Sequence, residues 1–114
     1  MTPPEVHHLD PVESKRRVDD GALLLDVRNP NEWQAGHADG AAWIPMHELA
    51  DRQEELPTDR EIVVICKSGA RSARVAHALV AAGYEAVNVA GGADAWQAAG
   101  FPIVTDDGQP GSVA

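Results

Sequence analysis

Glu61-Ile62-Val63-Val64-Ile65-Cys66 is a continuous apolar run rich in β-branched residues, and Lys67-Ser68-Gly69-Ala70-Arg71-Ser72 follows it at once. The run reads as a strand buried on both faces. It stops at the sole cysteine of the chain. Beyond a short loop of small and basic residues, Ser72 to Gly83 reads as an Ala-rich helix closed by a glycine. The thiol therefore stands where a buried strand ends and a helix begins. In an open α/β sheet that edge is where ligands bind.

The loop has the composition of an anion site. Gly69 permits a positive φ, and the chain can curl so that its N–H groups converge. The first helical turn adds donors, and Lys67 and Arg71 add charge. A thiol in such a place ionises readily, and the thiolate is the nucleophile. A lone cysteine at a strand end is ordinarily a small buried hydrophobe. The glycine, the two cations and the helix start, all close by, favour a catalytic role for Cys66.

Outward from this stretch, strands and helices alternate, which predicts an α/β domain with a mostly parallel sheet. Asp10-Pro11-Val12-Glu13 opens a helix as cap, first-turn proline and capping-box acid, and Gly21 ends it. Ala22 to Val27 is the first buried strand. Asp26 and Arg28 fall at its end, on the same sheet edge as Cys66. They are candidate supporting residues, and a structural ion pair or a cap is the favoured role. Asn29-Pro30-Asn31-Glu32 opens a short helix that Gly36 stops. His37 precedes the turn signal Asp39-Gly40 and reads as structural rather than as a general base. Trp43 to Pro45 reads as a short strand and Met46 to Leu56 as an amphipathic acidic helix ended by Pro57.

In the helix after the loop, Val75, Leu79 and Ala82 share the predicted buried face, and His77 is predicted to be solvated. Ala86 to Ala90 is a strand, Gly91-Gly92 leads into a short helix with Trp96 as a core anchor, and Phe101 to Val104 closes the domain. Residues 8–104 thus form the expected domain, with residues 1–7 and 105–114 expected to be disordered.

The composition narrows the partners. A chain of 114 residues with 44% hydrophobic residues makes one domain with a modest core. No apolar run approaches membrane-spanning length and no signal-peptide pattern opens the chain, so the default location is cytoplasmic. One cysteine excludes an internal disulfide and a cysteine-rich metal site. His7 and His8 read as a solvated pair, and no metal site is expected. The formal charge of −9 argues against nucleic acid or an anionic membrane as partner. Lys67, Arg71 and Arg74 supply three of only nine Lys and Arg residues. Their position predicts a locally positive mouth that admits small anions.

Cys66-Lys67-Ser68-Gly69-Ala70-Arg71-Ser72 resembles the active-site loop of single-domain rhodaneses, the thiosulfate sulfurtransferases. Leu24 to Arg28 is similar to the first strand of that family. Glu32 to Ala41 is similar to its Glu-aromatic-x-x-Gly-His-x-x-Gly-Ala segment, and Gly91 to Trp96 to its Gly-Gly-x-x-x-Trp element. The resemblance spans about residues 8 to 104. It implies a central five-stranded sheet with helices on both faces. It also implies sulfur transfer through a Cys66 persulfide, from thiosulfate or a similar small anionic donor to cyanide or a cellular thiol, with a protein sulfur acceptor as a further candidate partner. The N–H groups of Lys67, Ser68, Gly69, Ala70, Arg71 and Ser72 would hold the persulfide, Lys67 and Arg71 would bind the donor, and no cofactor is required. Two alternatives stand beside this. One is a phosphatase or arsenate reductase, whose loops resemble Cys-x5-Arg, whereas four residues separate Cys66 from Arg71 here. The other is a non-catalytic regulatory or binding module, although such domains typically lack the cysteine.

Overall fold

The computed structural model describes residues 5–114. Strands β1 (His8–Leu9), β2 (Leu23–Asp26), β4 (Ala42–Trp43), β5 (Ile62–Ile65) and β6 (Ala86–Val89) form one sheet in the order β1-β6-β5-β2-β4, with every pairing parallel. The expected five-stranded α/β sheet is present. A second, antiparallel pair joins β3 (His37–Ala38) to β7 (Ile103–Val104). The helices are α1 (Pro11–Asp19), α2 (Pro30–Ala35), α3 (Leu49–Arg52), α4 (Ala70–Ala81) and α5 (Gly92–Ala98).

Both sheet faces are covered, which explains the uninterrupted apolar run of β5. Ile62, Val64 and Cys66 point to a core shared with Leu49, Val75, Ala76 and Leu79, so α3 and α4 lie on that face. Val63 and Ile65 point the other way, to a core with Val18, Ala93 and Trp96 from α1 and α5. Cys66 therefore continues the strand alternation towards α4. Trp96 is 1% exposed and anchors its face as its pattern predicts.

The caps form as read. Asp10 accepts from the Glu13 N–H at 2.8 Å, and Asn29 and Glu32 make a reciprocal capping box. Three expectations fail. Met46 to Leu56 is not one helix but a 3-10 turn, the single turn α3 and a second 3-10 turn. Arg52 pairs with Glu48 and Glu55 at 3.1 and 2.8 Å within this short segment, and Pro57 holds Leu56 extended. In α4 the buried face runs through Ser72, Val75, Ala76 and Leu79, while Ala82 is exposed because the helix ends before it. Residues 105–114, expected to be disordered, fold back. Thr105 N–H donates to Gln109 O, Gly111 N–H to Ile103 O and Ser112 N–H to Ala35 O. Val113 packs against the α1/α5 core. Of the N-terminal stretch 1–7, residues 1–4 lie outside the described residues, and Val6 packs against the α3/α4 core.

Candidate active site

Cys66 leaves β5 with its side chain buried, 1% exposed, beneath a loop that bends back over it. Gly69 makes the bend at φ 102°, a left-handed conformation that suits glycine. It also starts α4 at Ala70, two residues earlier than the helical pattern suggests. The Gly69 N–H donates to Cys66 Sγ at 3.1 Å and the Ser72 hydroxyl lies 3.2 Å from the same sulfur. Burial pushes the thiol pKa up. The Ser72 hydroxyl and the N–H groups of Ser72, Gly69 and Ser68 pull it down and prevail, so the thiol is more acidic than usual. Of the loop N–H groups, those of Ser68, Gly69 and Ser72 face the sulfur.

The loop rests on the start of α5. The N–H groups of Ala93 and Asp94 donate to the carbonyls of Cys66 and Lys67 at 2.7 and 3.0 Å. A Cβ on Gly92 would stand 2.5 Å from each of those two carbonyl oxygens. Gly92 thus serves close approach of two backbones rather than a flexible turn.

The cations differ from the expected open mouth. Lys67 Nζ pairs with Asp94 at 3.2 Å and is 42% exposed. Arg71 forks onto Glu32 with both terminal nitrogens, at 2.7 and 2.8 Å. Glu32 also accepts from the Asn29 N–H at 3.0 Å. Hydrogen bonding to Arg71 holds its carboxyl below the usual range, against the opposing effect of burial. The locally positive mouth is therefore partly neutralised by two carboxylates from distant segments. Arg74 is exposed on α4. Ser68 and Ala70 are exposed on the loop, while Ser72 is fully buried.

Asp26 and Arg28 form a buried ion pair, with Arg28 Nη2 donating to Asp26 at 2.8 Å and to the Gly36 carbonyl at 2.8 Å. The Arg28 bond to Gly36 ties the pair to the end of α2. His37 is buried, stacks on Trp33 at 3.5 Å, and bonds through Nε2 to Asp106 at 2.9 Å. It is bound into this loop rather than into the cysteine site. Four contributors escape sequence reasoning: Glu32, Asp94, the Ser72 side chain, and Asn88, which accepts from Ser72 at 2.6 Å. The acid before Trp33 signals Glu32, but its capping role accounts for it already. Among the described residues no cluster of His, Cys, Asp and Glu is arranged to hold a metal.

Comparisons with known proteins give the family. The Rhodanese-like domain family matches residues 10–99. A sulfurtransferase from Allochromatium vinosum is 39% identical over 106 residues, covering 90% of this chain and 99% of that protein. Thiosulfate sulfurtransferase 18 from Arabidopsis thaliana is 35% identical, with 93% and 89% covered. The crystal structure of a rhodanese-related protein from Thermoplasma volcanium superposes with a TM-score of 0.82 at 30% identity, covering 88% of this chain and 99% of that one. With its five-stranded parallel sheet and its cysteine loop in place, the chain belongs to the rhodanese-like sulfurtransferase family.

Proposed function

We propose that this protein transfers a sulfane sulfur from thiosulfate, or a similar small anion, to a thiophilic acceptor through a persulfide on Cys66. The observation that carries the reading is the sulfur itself, seated at a strand-to-helix bend and met by the Gly69 N–H and the Ser72 hydroxyl. The Cys66 thiolate attacks the outer sulfur of thiosulfate. An S–S bond forms to Cys66, the donor S–S bond breaks, and sulfite departs with its electron pair. The charge now sits on the terminal sulfur, where the N–H groups of Lys67 to Ser72 stabilise it. Cyanide or a thiolate then attacks that terminal sulfur and releases the Cys66 thiolate. Two half-reactions on one nucleophile give ping-pong kinetics. Lys67 is the more accessible cation, so the donor's sulfonate meets it in exchange for Asp94. Arg71 orders the loop through Glu32.

The phosphatase alternative is disfavoured by the short span to Arg71 and by the engagement of both its terminal nitrogens with Glu32. A binding module would have no need of an acidified thiol. As to location, no helix among the described residues is long and apolar enough to cross a membrane, and we retain the cytoplasm as the proposal.

Intact-mass measurement after thiosulfate treatment tests the function. The expected result is a gain of one sulfur atom, removed by cyanide and absent in Cys66→Ser. No gain, or an equal gain in that variant, overturns it.

A further inference from the structure

The Ser72 hydroxyl has one proton and two acceptors, Asn88 Oδ1 at 2.6 Å and Cys66 Sγ at 3.2 Å. The orientation of Asn88 is set from its other end. Its Nδ2 donates to His8 Nδ1 at 3.0 Å and to the Gly69 carbonyl at 3.3 Å, so its carbonyl oxygen is what faces Ser72. Ser72 is 0% exposed and Asn88 3%. Both are shielded from bulk water, and an orphaned acceptor there is costly.

We propose that Asn88 is a positioning residue for the Cys66 sulfur, competing with it for the single Ser72 proton, so that Ser72 stabilises the free thiolate only in part and the sulfur-loaded form is favoured. The reading of Cys66 as the sulfur carrier underlies this. With an uncharged thiol, Ser72 donates to Asn88 and turns a lone pair to the S–H. When the thiol ionises, Ser72 either turns to the sulfur and strands Asn88 Oδ1, or stays and leaves the sulfur one donor short. Both outcomes leave the thiolate less stabilised than a free Ser72 would. At a pH where Cys66 is fully ionised, a more basic thiolate is the stronger nucleophile, so this restraint speeds its attack there. Once the persulfide forms, Sγ is neutral again and Ser72 returns to Asn88 without loss.

The charged groups around this sulfur come from several elements. They are Arg71 with Glu32, the Lys67–Asp94 pair, and Asp26 with Arg28 at the end of β2. Exposed Arg74 and His77 lie on α4, and His8 stands beyond Asn88. An Asn88 replacement alters none of these except the contact with His8, itself exposed.

The test is a double-mutant cycle read by iodoacetamide alkylation of Cys66 against pH in the full chain. Asn88→Leu is expected to lower the alkylation midpoint by about one pH unit, the worth of one hydrogen bond to a charged group. In the Ser72→Ala background the same replacement is expected to cause no shift, because no proton is left to redirect. Asn88→Ala enters the same cycle if the leucine variant does not fold. An unchanged or raised midpoint for the Asn88 variant overturns the proposal, and so does an equal drop with and without Ser72. Alkylation reads the thiol directly, so this outcome is independent of whether thiosulfate loads Cys66, which the mass measurement decides.

Discussion

At Cys66 two opposing effects act on one sulfur, and their balance sets its working pH. Burial disfavours the thiolate, and the donors from Ser72, Gly69 and Ser68 outweigh it. The iodoacetamide rate should therefore level off with a midpoint below about 8.5, the value of a free thiol. A midpoint at or above that value would show that burial dominates. Lys67 is expected to act on the donor step. Lys67→Gly should lower kcat/KM for thiosulfate about tenfold, the worth of one charge-assisted hydrogen bond, with little change in the cyanide step. Glu32 links the site to stability. Its carboxyl titrates below the usual range because Arg71 bonds it. Its contribution is complete above the unfolded value of about 4.3 and is lost as pH falls through the lower folded value. Urea unfolding of Glu32→Gln should show a loss of about 2 kcal/mol at neutral pH that shrinks in acid. The candidate nucleophile and its loop could be read from the sequence because their chemistry is contiguous. Their partners could not, because Asn88, Asp94 and Glu32 stand 16, 27 and 39 residues from the groups they hold.

The element that shapes the loop is not the helix that follows it but α5, which meets the loop backbone to backbone. Gly92 sits at φ 60° with two carbonyl oxygens where a Cβ would go. Gly92→Ala should cost about 3 kcal/mol from left-handed strain plus the clash, and should impair sulfur loading with it. Gly83 has φ 96° and open space around it, so Gly83→Ala should cost only about 1 kcal/mol and leave loading intact. Thermal unfolding of the pair separates conformational strain from close approach. The sequence showed a Gly-Gly pair and a helix but not what the glycines face, since that contact joins two strand ends across the sheet edge. Capping residues and the β5 apolar run were readable because they act within a few residues. Met46 to Leu56 was misread because its apolar spacing suits a helix, while the chain runs as three short turns that end at an extended Leu56 before Pro57.

Over the whole molecule the two cores and the parallel order follow from the alternation of strands and helices, whereas the course of the last ten residues does not. They have few apolar side chains, yet Asp106 accepts from Trp33 Nε1 at 3.1 Å and bonds His37 Nε2, closing the chain over α2 and β3. Such isolated polar anchors leave no periodic signal. Asp106→Ala should destabilise the protein by about 1–2 kcal/mol, and Asp106→Asn, which keeps an acceptor, by less; urea unfolding followed by circular dichroism reads both. This course has a consequence for tethering. The Ser112 N–H bonds the Ala35 carbonyl at the end of α2, and one helical turn away Glu32 grips Arg71 of the cysteine loop. A thiol-bearing acceptor domain joined after Ala114 by a short flexible linker would thus begin its reach beside the loop and meet Cys66 at an effective concentration on the order of millimolar. Sulfur transfer within that fusion would be first-order and indifferent to dilution, while the same two proteins left unlinked would slow as they are diluted.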